Sequence, residues 1–240
     1  MGNQYSGNLI NITFIQGLSE ATMSSTLIPA RDEETDEELR SRYFEALNQK
    51  AFGGNIADYR TKVEALTGVG AVQVYPVWNG GGTVKLSVVD PSYMPCSDEF
   101  LRTLQIQIDP ENANGDTGTG LGIAPIGHQV TVVTPDEVVI NVEATVTLQA
   151  GYSKGQVEQP IKNVVEEYLQ SLRQSWADAS DLNIYATDVF VARVTAAMVS
   201  VPGVANVSHV TLNGSANDIF LTQNGQIQQL PILGEVVVNV

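Results

Sequence analysis

Cysteine, histidine and positive charge are all scarce in this 240-residue chain. The one cysteine, Cys96, excludes an intrachain disulfide, and with only two histidines, His128 and His209, a structural zinc site lacks ligands. Twelve basic residues stand against 27 acidic ones, a formal net charge of −15. Nucleic-acid affinity comes largely from neutralising phosphates, and no Lys/Arg cluster is present to do so. The same sign of charge disfavours an anionic membrane surface. No apolar run approaches the ~20 residues of a membrane-spanning helix. The opening MGNQYSGNLI has neither the basic nor the apolar region of a secretion signal. Charged residues of both signs amount to only 16%, and Asn, Gln, Thr and Ser fill the gap.

What is present suits a folded, strand-rich protein. The hydrophobic fraction of 43% excludes a disordered polymer. The length fits one large domain or two of about 100–150 residues. Abundant Val and 21 Gly favour strands joined by many turns. Residues 8–15, NLINITFI, alternate as a strand with Ile10, Ile12 and Phe14 on one face. Residues 16–30 read as a linker with a short strand at 24–28.

The stretch RDEETDEELRSRYFEALNQKAFGGNIADYR (31–60) crowds six acids into positions 32–38. Thr35 and Glu38 have capping-box spacing, and acids in a first turn face the positive end of the helix dipole. The acids therefore start a helix over about 36–50, with Leu39, Tyr43, Phe44 and Leu47 on its apolar face. FGGN ends that helix, and Asn55 caps a second one carrying Ile56, Tyr59, Val63 and Leu66 at helical spacing. Residues 71–78 and 83–90 form a hairpin about the turn NGGG (79–82), with Val84, Leu86 and Val88 on one face and Thr83, Lys85 and Ser87 opposite. Ser97 caps a helix to about 109 whose inward residues are Leu101, Leu104 and Ile108. Strands follow at 128–133 and 137–150. A helix over 156–177 buries Val157, Ile161, Val164, Val165, Tyr168, Leu172 and Trp176. A further helix covers 187–200, and strands at 203–212, 219–222 and 235–240 close the chain.

An internal echo supports two units. The segments 57–74 and 187–210 share a helix, then Gly-Val, then a strand, each followed by an Asn-Gly turn at 79–80 and 213–214. The expected fold class is α+β: two small α/β units, each with helices on a mainly antiparallel sheet, behind an N-terminal strand and linker. The expected division is 1–30, 31–124 and 125–240, with strand 235–240 available to pair back with 8–15.

Candidate chemistry is thin. NGGG lacks the Gly-Lys-Ser/Thr ending of a phosphate loop and joins two strands. DTGTG (116–120) contains the Asp-Thr-Gly of aspartic proteases, which need two such aspartates sharing a proton. DPENANGD (109–116) offers oxygen ligands for calcium at Asp109, Glu111, Asn112, Asn114 and Asp116, without EF-hand spacing. Neither histidine has a sequence neighbour that marks a triad, and no Gly-x-Ser-x-Gly elbow occurs. These readings give no catalytic residue, no cofactor and no metal. Trp176 falls on a helix's apolar stripe and reads as core. Trp78, beside the hairpin turn, is the candidate partner-interface anchor.

The run from Asp32 to Asp90 resembles the baseplate J-like family of contractile phage tails and related prophage particles. Its matching elements are the acidic cap with ELR, then FGGN, ADYR, GVGAV, VYP, WNG and GTVKL. The resemblance continues more weakly through PIG, VTVVTP, VPGV and LGEVVV. It implies a structural wedge component of a baseplate, joined in a ring around the central hub and rearranging as sheath contraction is triggered. The implied partners are other wedge proteins, hub and spike proteins and further copies of the chain, with no nucleic acid and no membrane insertion. The implied location is a virion or phage-like tail baseplate, assembled in the bacterial cytoplasm. Family members carry a further segment ahead of this region, so the chain is expected to be truncated or a short member. The rival readings are a secreted or surface module binding glycan or protein, and a hydrolase using loop 116–120.

Overall fold

The structure is a computed structural model that describes residues 7–9, 16–23, 35–37, 39–40, 42–43, 53–177 and 187–240. It comprises two compact units, Met1–Val133 and Thr134–Val240.

The first unit begins with a short antiparallel pair, β1 (Gly7–Leu9) and β2 (Ala21–Met23). Residue 35 opens a helical turn in which the Leu39 N–H donates to the Thr35 carbonyl at 2.9 Å. Leu39 and Tyr43, expected on a buried face, are exposed at 47% and 60%, so they contribute little to the core. Glu38, Phe44, Leu47 and the strand at 24–28 lie outside the described residues. Helix α1 (Ile56–Glu64) starts as its sequence dictates: the Asn55 side chain accepts from the Asp58 N–H at 2.8 Å.

Strands β3 (Ala71–Pro76) and β4 (Thr83–Val89) form the hairpin, helix α2 (Asp98–Ile108) follows, and β5 (Gln129–Val133) completes the order β3-β4-β5. The β3–β4 pairing is antiparallel and the β4–β5 pairing parallel. A parallel return needs a long crossover, which α2 and the loop behind it supply. Tyr59 and Val63 of α1, Leu104 and Ile108 of α2, and Val72, Leu86, Val88 and Val130 of the sheet share one core. The face of β4 expected to be polar is also covered, with Lys85 and Ser87 both buried.

The outer edge of β5 is closed by side chains rather than by a strand. Gln105 donates from Nε2 to the Val130 carbonyl at 2.9 Å and accepts from the Val132 N–H at 2.9 Å. Asp109 accepts from the Val130 N–H at 2.9 Å. Open strand edges invite pairing with other chains, and these contacts occupy the groups that would do it.

The second unit runs β6 (Asp136–Leu148), α3 (Lys154–Ala177), α4 (Val191–Val199), β7 (Val204–Leu212) and β8 (Gln229–Asn239). Strand β6 is central, antiparallel to β7 and parallel to β8. Its alternation places Ile140, Val142, Ala144 and Val146 against Val157, Ile161, Val165 and Leu169 of α3. Trp176 is buried at the end of that stripe, as its spacing predicts. Arg173 lies on the same stripe, fully buried, where it donates to the Pro231 carbonyl at 2.8 Å and pairs with Glu166.

The α+β class stands with pairing mainly antiparallel: three of the five strand pairings are antiparallel, and each of the two three-stranded sheets adds one parallel pairing. Three expectations need correction. The units divide at Val133/Thr134 and not near 124, because β5 pairs with β4 of the first sheet. The C-terminal strand pairs with β6 and extends back to Gln229, and residues 10–15 of the segment it was expected to join lie outside the described residues. Residues 219–222 form no strand; Ile219 makes an isolated bridge to Val189. The echo holds for α1–β3 and α4–β7, but β7 then pairs with β6 instead of forming a hairpin with the next strand.

Candidate partner interface

Trp78 sits where the hairpin sequence leaves regular geometry. Strand β3 ends at Pro76, two residues earlier than expected. Val77 takes φ +58, a left-handed backbone that costs a β-branched residue strain. Gly80 and Gly82, at φ +100 and +83, carry the chain back at the positions where a side chain would be strained. The turn is fastened by the Val77 N–H donating to the Thr83 carbonyl at 2.7 Å and by the Asn79 N–H donating to Thr83 Oγ1 at 3.0 Å. Trp78 is half-buried, and Lys85 Nζ lies 4.4 Å from the centre of its ring. Stacking of a cation on the ring fixes the indole without consuming its whole surface.

Beside this turn a cavity of about 670 Å³ opens between α1 and the end of the hairpin. Ile56, Val74, Pro76, Val77 and Val84 give it apolar walls, and Ile56 and Val77 are exposed at its mouth. Tyr59 and His128 supply its polar wall. Their rings stack with centroids 5.9 Å apart, and the Tyr59 hydroxyl lies 2.9 Å from His128 Nδ1. Burial raises the Tyr59 pKa, and the charges of Asp109 and Asp58 raise it further. The phenol therefore keeps its proton and can donate it to Nδ1. Sequence reasoning missed this pair because the two residues are 69 positions apart. The GG turn before α1 packs here as well: a Cβ on Gly54 would lie 2.5 Å from Pro125 Cγ.

The polar loop after α2 is a self-contained turn. Asp109, one of the oxygen donors that the loop offers, is buried and accepts from the Gly118 and Val130 N–H groups at 2.8 and 2.9 Å. Asn112 Oδ1 accepts from the Asn114 and Asp116 N–H groups at 2.8 and 2.9 Å, and Asn112 Nδ2 donates to Asp116 at 3.1 Å. Asp116 and Glu111 are both exposed. Among the described residues no three His, Cys, Asp or Glu side chains gather as a metal site would need. Cys96 is half-buried and packs against the first core. His209 is exposed on β7 with φ +51. The structure therefore brings His128 to the cavity near Trp78, while Asp116 and Cys96 do not line it and His209 belongs to the second unit.

Comparison with known proteins agrees with this division. Residues 51–134 match the Baseplate J-like central domain, and residues 140–239 match the Baseplate J-like protein C-terminal domain. The chain is 32% identical over 229 residues to the uncharacterized protein YqbT of Bacillus subtilis strain 168. It is 30% identical over 229 residues to the phage-like element PBSX protein XkdT of the same strain. Each alignment covers 95% of this chain and 60% of the relative, so the chain spans about 60% of the length of these relatives. The fold is similar to a chain in the cryo-EM structure of the anti-feeding prophage baseplate. There the TM-score is 0.52 at 11% identity, covering 93% of this chain and 47% of that one.

Two packed α+β units with these domain matches define a structural protein of the phage-baseplate class. The chain belongs to the baseplate J-like family, and its two compact units carry that family's central and C-terminal domains.

Proposed function

We propose that the chain is a wedge component of a contractile-tail baseplate, held in a ring around the central hub and taking part in the rearrangement that releases sheath contraction. On this reading its partners are other wedge proteins, hub and spike proteins and further copies of itself. It assembles in the bacterial cytoplasm and acts by contact, without catalysis. The observation that carries the reading is the pair of domain matches, 51–134 and 140–239, which account for both compact units.

The geometry is consistent with such a role. Trp78, stacked under Lys85 beside an open apolar cavity, is a rigid aromatic of the kind that anchors protein interfaces. Low charge and many Asn, Gln and Thr residues suit polar, wet contacts that hold in one state and exchange in another. The loop read as a protease motif supports no competing activity, because Asp116 is exposed and tied to its own turn by Asn112.

Electron microscopy of particles from cells lacking this gene tests the assignment. Missing or malformed tail tips are expected, restored by the intact gene; tails with normal tips would refute it. In light scattering the isolated chain should be monomeric or weakly associating, and a tight closed oligomer formed alone would count against a role that needs wedge partners.

A further inference from the structure

We propose that the outward face of the second unit's sheet docks a partner through lysine or arginine side chains, one of them seated in the depression between Glu143 and Glu235. Strand alternation turns Ile140, Val142, Ala144 and Val146 of β6 into the core beneath α3 and α4. The opposite face therefore carries Glu137, Val139, Asn141 and Glu143, joined by Glu235 and Val237 of β8.

The pairing of β6 with β8 shifts register between Ile140 and Val142. The side chains of Asn141 and Val139 fold over Gly234 there: a Cβ on Gly234 would lie 2.3 Å from Asn141 Oδ1 and 2.6 Å from a Val139 methyl, so only glycine fits beneath them. Beside them is a depression of about 450 Å³ bordered by Val139, Glu143, Asn213, Glu235 and Val237. Its amides are already committed to the fold. Asn141 accepts from the Glu235 N–H at 2.9 Å. Asn213 accepts from the Asn141 N–H at 2.8 Å and donates to the Val139 carbonyl at 3.0 Å. What faces outward is two valines, 48% and 37% exposed, and the carboxylates of Glu143 and Glu235.

Charge decides the occupant. All four cations of this unit, Lys154, Lys162, Arg173 and Arg193, stand on α3 or α4, on the other side of the sheet. The outward face is thus acidic with no cation of its own. A Lys or Arg side chain fits it in both parts: methylenes along the valines, and a cationic head at the carboxylates. A second copy offering the same face would set like charges opposite each other, which opposes self-pairing here.

The test is an amide-shift titration of the full chain by NMR. The probe is N-acetyl-arginine methylamide, with N-acetyl-norleucine methylamide as the uncharged control. Saturable shifts confined to Val139, Glu143, Glu235, Val237 and their neighbours are expected for the arginine probe alone. They should weaken by roughly threefold to tenfold in an E143Q/E235Q variant, as expected for exposed ion pairs. Both positions are exposed, so unchanged shifts elsewhere will report an intact fold. Shifts spread evenly over exposed acids of both units, equal shifts with norleucine, or no change in the variant would overturn the proposal. Normal tail tips in the deletion strain would remove the ring assignment and leave the titration result standing.

Discussion

Replacing Asp109 by Asn should unfold the first unit well before the second. Both carboxylate oxygens are committed, one to the Gly118 N–H and one to the Val130 N–H. The side chain is 2% exposed, so water cannot take over either bond. An asparagine of the same shape keeps one accepting oxygen and turns an NH₂ group toward the other N–H. One charge-assisted bond is lost and one buried donor is orphaned, a combined cost of about 2–4 kcal/mol. For a unit of this size that lowers the melting midpoint by roughly 10–25 °C. The chain has one tryptophan per unit, Trp78 and Trp176, so fluorescence in a Trp176→Phe background follows the first unit alone. Urea and thermal melts of Asp109→Asn in that background measure the loss directly. A change below ~0.5 kcal/mol, the level of an ordinary surface substitution, would refute a buried anchoring role.

Three further outcomes are expected. Stability of the first unit should be level up to about pH 10, the ordinary tyrosine value. It should then fall as pH rises, because the folded state holds the Tyr59 proton more tightly than the unfolded chain. Burial raises Tyr75 of the same unit as well, so urea midpoints from pH 8 to 11 should show this fall reduced in Tyr59→Phe and flattened only when Tyr75 is also replaced by Phe. Gly203→Ala should destabilise the second unit by about 1–3 kcal/mol through backbone strain, with a clash added. Gly203 has φ +94, and its new Cβ would meet the Tyr152 ring at 2.2 Å; an unchanged denaturation midpoint would contradict this. Trp78→Ala should cost the isolated chain about 2 kcal/mol, because Lys85 is buried and its cation–π contact is desolvated. If Trp78 anchors a partner, the same variant should be depleted from purified tails while circular dichroism stays native.

The elements carried by local chemistry were legible. Asn55 and Ser97 begin helices where their side chains can cap them, and the α3 stripe from Val157 to Trp176 follows from its period. The missing parts depend on distant residues. Half of β8 was unreadable because Pro231 and Gly234 break strand patterning. Pro231 has no N–H to give, and its carbonyl is satisfied by Arg173 from another element. The placement of β5 turned on its parallel pairing with β4, which no local pattern encodes, and so the division near 124 fell nine residues short. At the candidate interface, Trp78 was marked by its neighbouring turn, whereas the cavity and the Tyr59–His128 pair arise only once α1 meets the end of loop 110–128. Asp109 misled because it heads a polar loop. The readable clue was its position four residues after Gln105, with Leu104 and Ile108 as their apolar neighbours on α2.

Gln105 and Asp109 have a consequence beyond the stability of one sheet. A protein destined for high local concentration in a growing particle is at risk of zipping to its neighbours through unfinished backbone. Along β5 that route is shut by an amide and a carboxylate that imitate a missing strand. Removing them should turn a well-behaved building block into one that polymerises out of register.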